Sequence, residues 1–374
     1  MTAQTSHLPD KDLEAATAHL GTARSMPAGF YTAPEIFDEE RCRIFLKNWI
    51  FFGREDELPN PGDYRSLDTV GGPAFVIRIQ TGELQAFANF CRHRGSLLLE
   101  GTGNCKRIIC PYHAWSYQID GRLIGCPDMQ DAEGFDRVEN GLVPIRLEIW
   151  VGFVFFTFDE NTPPLLEHLG DMPERMASHQ PEQMRCVWRI ELQGACNWKL
   201  LLENAMETYH TGIVHRDSVG KQISRSIKTR GDWLCIQVLS DRSIATLQDE
   251  EPTFAPITGL DDDARQGTYF TVIHPTCQLV FAQDCLWWLN IIPKAHNASI
   301  IEIGGCFPQS VIDQPDFAAK AQPYFERWEK VGREDVAILE KQQRALTSVH
   351  YSPGPLSGRD DQVQALGIWV LRQL

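Results

Sequence analysis

The sequence has no apolar run approaching the roughly 18 residues that span a bilayer, so a membrane helix is not expected. Its start, "MTAQTSHLPDKDLEAATAHL", carries acids and no apolar core segment, so it does not read as a secretory signal. Basic charge is in deficit: 35 Lys and Arg stand against 50 Asp and Glu, a net charge of −15. A nucleic-acid partner is therefore excluded, because phosphate binding needs a basic face. The 11 cysteines are an odd number with no secretion signal, which argues against a disulfide framework and for a reducing, cytoplasmic setting. No G-x-G-x-x-G follows a strand pattern and no flavin motif occurs, so the chain has no evident means of binding NAD(P)H itself. Internal repeats and low-complexity segments are also lacking.

What is present reads as a soluble chain of two domain-sized parts, 43% apolar and 23% charged. Residues 1–45 form an N-terminal helical arm, with "DKDLEAATAHL" periodic and "TAPEIFDEERCRIFLKNW" a helix opened by Pro34. Residues 46–158 break into short β-like runs, such as "AFVIRIQ" and "WVGFVFFTF", the texture of a small all-β domain. Residues 159–374 mix strands with helices. "RCVWRIELQGACNW", "DWLCIQVLS", "GTYFTVIHPTCQLVFAQDCLWWLNIIP" and "ASIIEIGGCF" read as strands. "KLLLENAMETYH", "AQPYFERWEKVGREDVAILEKQQRAL" and "DQVQALGIWVLRQL" read as helices. The fold class is α+β.

The segment "NFCRHRGSLLLEGTGNCKRIICPYHAW" sets two Cys-His pairs apart, Cys91 with His93 and Cys110 with His113. A zinc finger would group its cysteines before its histidines. Here each half-site mixes one thiolate with one imidazole, and two facing β-loops can supply both. In a Rieske [2Fe–2S] centre two cysteines hold one iron and two histidines the other. "CRHRG" and "CPYHAWSYQIDGRL" closely resemble the Rieske iron–sulfur domain over roughly residues 45–155, departing at Ala114, where glycine is usual. Cys105 lies off the motif.

A cluster of this kind only moves single electrons, and "NWKLLLENAMETYHTGIVHRD" carries a second signature. On a continuous helix Glu203, Glu207 and His210 share one face, Tyr209 points away, and Gly212 is placed to end the helix before His215. Two histidines with one carboxylate form the facial triad of non-haem Fe(II). The Glu207-x2-His210-x4-His215 spacing resembles the Rieske non-haem iron oxygenases, terminal oxygenase α-subunits of the aromatic-ring-hydroxylating family, α-only type.

That resemblance implies an N-terminal Rieske [2Fe–2S] domain, a helix-grip α/β catalytic domain with an antiparallel sheet, and a mononuclear Fe(II) held by His210, His215 and a C-terminal acid. The acid is Asp335 by its place in the family pattern, with Glu334 the runner-up and Glu340 nearly two turns further on. Glu207 is implied as the bridge between His210 and the neighbouring subunit's cluster ligand, and Glu in place of the usual Asp leans toward carnitine- and betaine-type oxygenases. Asn204 and Met206 are candidate pocket residues, and Tyr269, Phe270 and Phe281 candidate walls more readily read as core. Trp287 and Trp288 point to opposite faces of a strand; His274 and His296 read as turn or surface residues.

The implied partners are O₂, a small organic substrate, and an NAD(P)H-dependent reductase with or without a ferredoxin. Arg92, Arg94, Lys106, Arg107 and Arg122 surround the cluster motifs and can steer an acidic redox protein. A head-to-tail homotrimer is expected. The expected chemistry is C–H hydroxylation, extending to N- or O-dealkylation, with aromatic cis-dihydroxylation as the alternative.

Overall fold

A computed structural model describes residues 8–374, which fall into two compact units. Their architecture is α+β, and among the described residues no helix is long and apolar enough to cross a membrane.

One unit, Leu46–Thr162, is built on β-structure. Seven antiparallel strands run in the order Ile50–Arg54, Phe153–Thr157, Pro144–Trp150, Leu84–Ala88, Gly72–Arg78, Asp63–Thr69 and Thr102–Asn104. A second sheet of three short strands, Ile108–Ile109, Ser116–Tyr117 and Leu123–Gly125, carries one of the Cys-His loops. Phe75, Ile77, Phe87, Ile108, Tyr117 and Leu123 close a shared core beneath both loops, so the loops stand on a packed base.

The other unit joins the N-terminal arm to Pro163–Leu374. Its seven-stranded antiparallel sheet runs Met184–Gly194, Ala298–Pro308, Leu286–Ala295, Cys277–Phe281, Gly267–Ile273, Trp233–Leu239 and Ser224–Ile227. Register fixes which residues share a face. Phe270 pairs with Ile236 and Val280, and Val280 with Trp287. Gln278 pairs with Leu289, and Leu289 with Ile303. This face packs under the long helix Phe317–Ala345, whose Trp328 lies 5.7 Å from Trp287 between ring centroids. Gly305 is bare because Trp328 fills the place of its side chain: a Cβ there would stand 2.0 Å from that ring.

The arm is held by polar contacts within this unit. Pro34 opens the helix Pro34–Glu40. Glu40, fully buried, pairs with Lys199 and accepts from Trp198 Nε1 at 2.8 Å. Tyr31 Oη donates to Glu203 Oε1 at 2.7 Å. A charge buried this deeply is retained only when paired.

The helix expected across "KLLLENAMETYH" is shorter than its periodicity suggests. It spans Trp198–Ala205, so Glu207 and His210 do not continue the face of Glu203. The reason is local capping: the Glu207 carboxylate accepts from the backbone N–H groups of Tyr209 and His210, starting the separate turn Thr211–Val214. Gly212 lies inside that turn rather than ending the first helix.

Candidate functional site

In the β-rich unit the four Cys-His residues meet. The loop after Leu84–Ala88 presents Cys91 and His93, and the loop between Ile108–Ile109 and Ser116–Tyr117 presents Cys110 and His113. Both cysteines are buried, and the two imidazole rings lie 4.8 Å apart between centroids. Trp115 stacks on His93 at 5.0 Å and 6°, fixing the ring's orientation. Burial acts to raise the Cys110 thiol, but backbone N–H groups of Tyr112 and His113 and the Cys91 thiol outweigh it, so its pKa is lowered. The Nδ1 atoms of His93 and His113 are buried without a hydrogen-bond partner. Two adjacent thiols and two orphaned imidazole nitrogens fit a Cys₂His₂ [2Fe–2S] cluster, since a buried nitrogen left bare is otherwise costly.

Sequence reasoning passed over Tyr117. Its hydroxyl lies 3.3 Å from Cys91 Sγ and accepts from Arg92 N at 3.1 Å. The signal available was a tyrosine on the short strand directly after the second half-site. Arg92, Arg94, Lys106, Arg107 and Arg122 are all exposed; Arg94 lies over the Tyr112 ring and Arg122 pairs with Asp120 at 2.8 Å.

In the other unit His210, His215 and Asp335 converge, their ligating atoms all within 4.8 Å of one another. Asp335 Oδ1 is 3.0 Å from His215 Nε2 and 3.7 Å from His210 Nε2. This oxygen is buried and makes no aligned hydrogen bond to either. Both Nε2 atoms thus face one shared carboxylate oxygen, a donor set suited to a non-haem Fe(II).

The opposite nitrogens are held by separate acids. His210 Nδ1 is hydrogen-bonded to Glu207, and His215 Nδ1 lies 2.8 Å from Glu334 Oε2. Ser218 Oγ donates to the same Glu334 oxygen at 2.6 Å. Glu334 therefore stands behind His215 and Asp335 beside both Nε2 atoms, which favours Asp335 over the runner-up. Burial disfavours protonation of His215, but Asp335 and Glu334 outweigh it and raise its pKa. The same negative surroundings favour a metal cation. Carboxylates behind histidine ligands fix tautomer and orientation.

A cavity of about 90 Å³ opens beside these residues, walled by apolar and aromatic side chains including Phe270, Trp287, Leu289 and Trp328. Asn204 lines it; Met206 does not, being fully buried elsewhere, because the helix ends before it. Tyr269 and Phe281 are buried outside this lining, as core. Trp287 reaches the cavity, whereas Trp288 packs on Gly304 from the other face. His274 is a turn residue but is buried rather than at the surface, stacked on Trp369 at 4.0 Å. His296 lies half-buried in a turn. Among the polar lining residues that sequence reasoning missed are Arg327 and Gln278. Arg327 was detectable, lying on the helix face of Asp335 at a spacing of eight.

Residues 181–374 match the family model for the ring hydroxylating alpha subunit (catalytic domain), and residues 48–140 that for the Rieske [2Fe–2S] domain. The chain is 35% identical over 201 residues to the carnitine monooxygenase oxygenase subunit of Acinetobacter pittii, covering 53% of this chain and 54% of that one. The match therefore spans about half the length of that relative. It is 34% identical over 367 residues to the glycine betaine monooxygenase oxygenase subunit of Pseudomonas aeruginosa strain PAO1, covering 89% and 85%. Among solved structures, the quaternary ammonium Rieske monooxygenase CntA with an inhibitor superposes with a TM-score of 0.83 at 25% identity, over 98% of this chain and 99% of that one. Naphthalene 1,2-dioxygenase from Rhodococcus sp. shares the fold, with a TM-score of 0.74 at 20% identity over 94% of each chain.

Proposed function

Because the chain belongs to the Rieske-type ring-hydroxylating oxygenase α-subunit family, we propose that it is the oxygenase component of a multicomponent monooxygenase, hydroxylating a C–H bond of a small organic substrate and, where that carbon bears nitrogen or oxygen, releasing an alkyl group as an aldehyde. The observation that carries this reading is the convergence of His210, His215 and Asp335 on the wall of a largely apolar cavity. The named relatives, monooxygenases of carnitine and glycine betaine, favour this over ring dihydroxylation.

In this reading Cys91, His93, Cys110 and His113 hold the cluster, and His210, His215 and Asp335 hold the iron. When bound, the cluster supplies single electrons and the iron supplies O₂ activation. The chain's own residues do the rest. Glu207 keeps the proton of His210 on Nδ1 and Glu334 that of His215, leaving both Nε2 atoms free to ligate. The apolar walls exclude water beside the reacting carbon.

Electrons arrive from a separate NAD(P)H-dependent reductase, with or without a ferredoxin. Three copies arranged head to tail would let Glu207 link His210 to His113 of the next subunit, a heterologous contact that closes. Exposed apolar side chains support such docking: Ile109 and Tyr112 flank His113, and Tyr209 and Ile213 flank the Glu207–His210 pair. A cytoplasmic, homotrimeric enzyme completes the proposal.

The test is product analysis under labelled O₂ with the reconstituted reduced enzyme, using pools of N-alkyl compounds, O-alkyl compounds and aromatic acids. One labelled oxygen, or a dealkylated product with its aldehyde, supports the proposal. Two labelled oxygens in a dihydrodiol would overturn it. Glu207→Gln should retain both metal centres and lose nearly all turnover.

A further inference from the structure

The cavity beside the metal-binding set is apolar except at a few points, and one of these is a cation. Arg327 is only 4% exposed. It sits on the helix Phe317–Ala345, two turns before Asp335 on the same face, with its guanidinium reaching the cavity. Its carbon lies 4.9 Å from the centre of the Trp287 ring. Its Nε is buried with no acceptor, and among the described residues no hydrogen bond or ion pair engages the guanidinium. Burial pulls its pKa down to about 10, with Asp335 among the groups opposing the fall, so the charge persists at neutral pH.

A second group points to the same ligand. Gln278 lies on the strand Cys277–Phe281, where its cross-strand neighbours Val272 and Leu289 are apolar. It is 4% exposed, lines the cavity, and its side-chain amide has no hydrogen bond among the described residues. A guanidinium with an orphaned buried Nε and an amide with no protein partner thus line one small space. Such donors are costly when left bare and favourable when an anion enters between them.

Resting on the oxygenase reading above, we infer that the substrate carries a carboxylate, and that Arg327 with Gln278 binds this anionic end in the cavity while the opposite end faces His210, His215 and Asp335. A cationic headgroup is excluded from the Arg327 end on two counts. The guanidinium repels it, and the same guanidinium already covers the Trp287 face that would stabilise it by a cation–π contact. A quaternary ammonium in a zwitterionic substrate would therefore lie at the metal end, with its carboxylate at Arg327.

The experiment measures binding to the reconstituted holoenzyme by calorimetry, without turnover. The probes are butyrate and benzoate against butyramide and benzamide, with choline as a purely cationic control. The wild type should prefer each acid to its amide. Arg327→Met should erase that preference by about 30-fold or more, with iron and cluster content unchanged. Arg327→Lys should keep part of it, and Gln278→Leu should reduce it about fivefold, which decides the matter if the arginine variants do not fold. An acid preference unaffected by Arg327→Met, or choline bound more tightly than either acid, would overturn the inference. Neither result bears on whether labelled oxygen enters one product atom or two, so the two proposals fail separately.

Discussion

Ala114 follows the ligand His113 with φ at +57°, in the left-handed region that costs an L-residue roughly 1 kcal/mol. Ala114→Gly should therefore raise the stability of the β-rich unit by about that amount in thermal melts, with the cluster's visible absorption unchanged. At the other centre, two adjacent acids divide the work. Asp335→Ala should lose the mononuclear iron while cluster absorption remains. Glu334→Gln should keep iron but weaken its binding about 10–100-fold, because His215 then lacks the carboxylate behind Nδ1. Both outcomes are read by metal analysis after dialysis; retention of iron by Asp335→Ala would move the ligand elsewhere. In the sequence, only the family resemblance divided this pair; the residues' own spacing did not. "GREDVAILE" places both acids on one helix, and only the position of His215 separates the residue before Nε2 from the one behind Nδ1.

The elements most legible in the sequence are those with a strong period or cap. Pro34 marks a helix start, and the short apolar, β-branched run in "AFVIRIQ" and the long pattern before Ala345 mark a strand and a helix that the structure contains. The helix from Trp198 to Ala205 ends earlier than its period suggests, because Glu207 caps the next turn and periodicity carries no sign of that. Register was also hidden: Phe270, Gln278 and Trp287 share a cavity only through pairing across three strands. Gly305 belongs to this scale, since Trp328 occupies the space its side chain would need. Gly305→Ala should cost about 1–3 kcal/mol by thermal melting and push the Trp328 ring from its seat.

Across the molecule, buried titratable groups set opposite pH limits. Burial lowers His179 to about 4 and His274 to about 3, against the weaker opposing pull of Asp261 and Asp232. Their stabilising contribution is present above about pH 6.5 and is lost as pH falls through those values. Burial raises Glu203 to about 7 despite Tyr31 and Lys199. Its contribution is complete below about pH 4.5 and is lost as pH rises through 7, each pH step of one between those limits costing roughly 1.4 kcal/mol. Between about pH 4.5 and 6.5 the two histidines outweigh the one carboxyl, so thermal stability should rise to a maximum near neutrality, and Glu203→Gln should steepen that rise. An unchanged slope in that variant would show that Glu203 does not oppose the histidines.

The two bare positions on the strand Ala298–Pro308 also say where change is cheap. Trp288 rests on Gly304 and Trp328 on Gly305, so any side chain added at either glycine would run into an indole. A laboratory-evolution library that varied these four positions would spend most of its members on unfolded protein. Phe270, Gln278 and Leu289 line the cavity beside the metal-binding set at positions where no glycine interlocks with their side chains. Diversity placed there should retune which molecules are accepted while the scaffold around them stays intact.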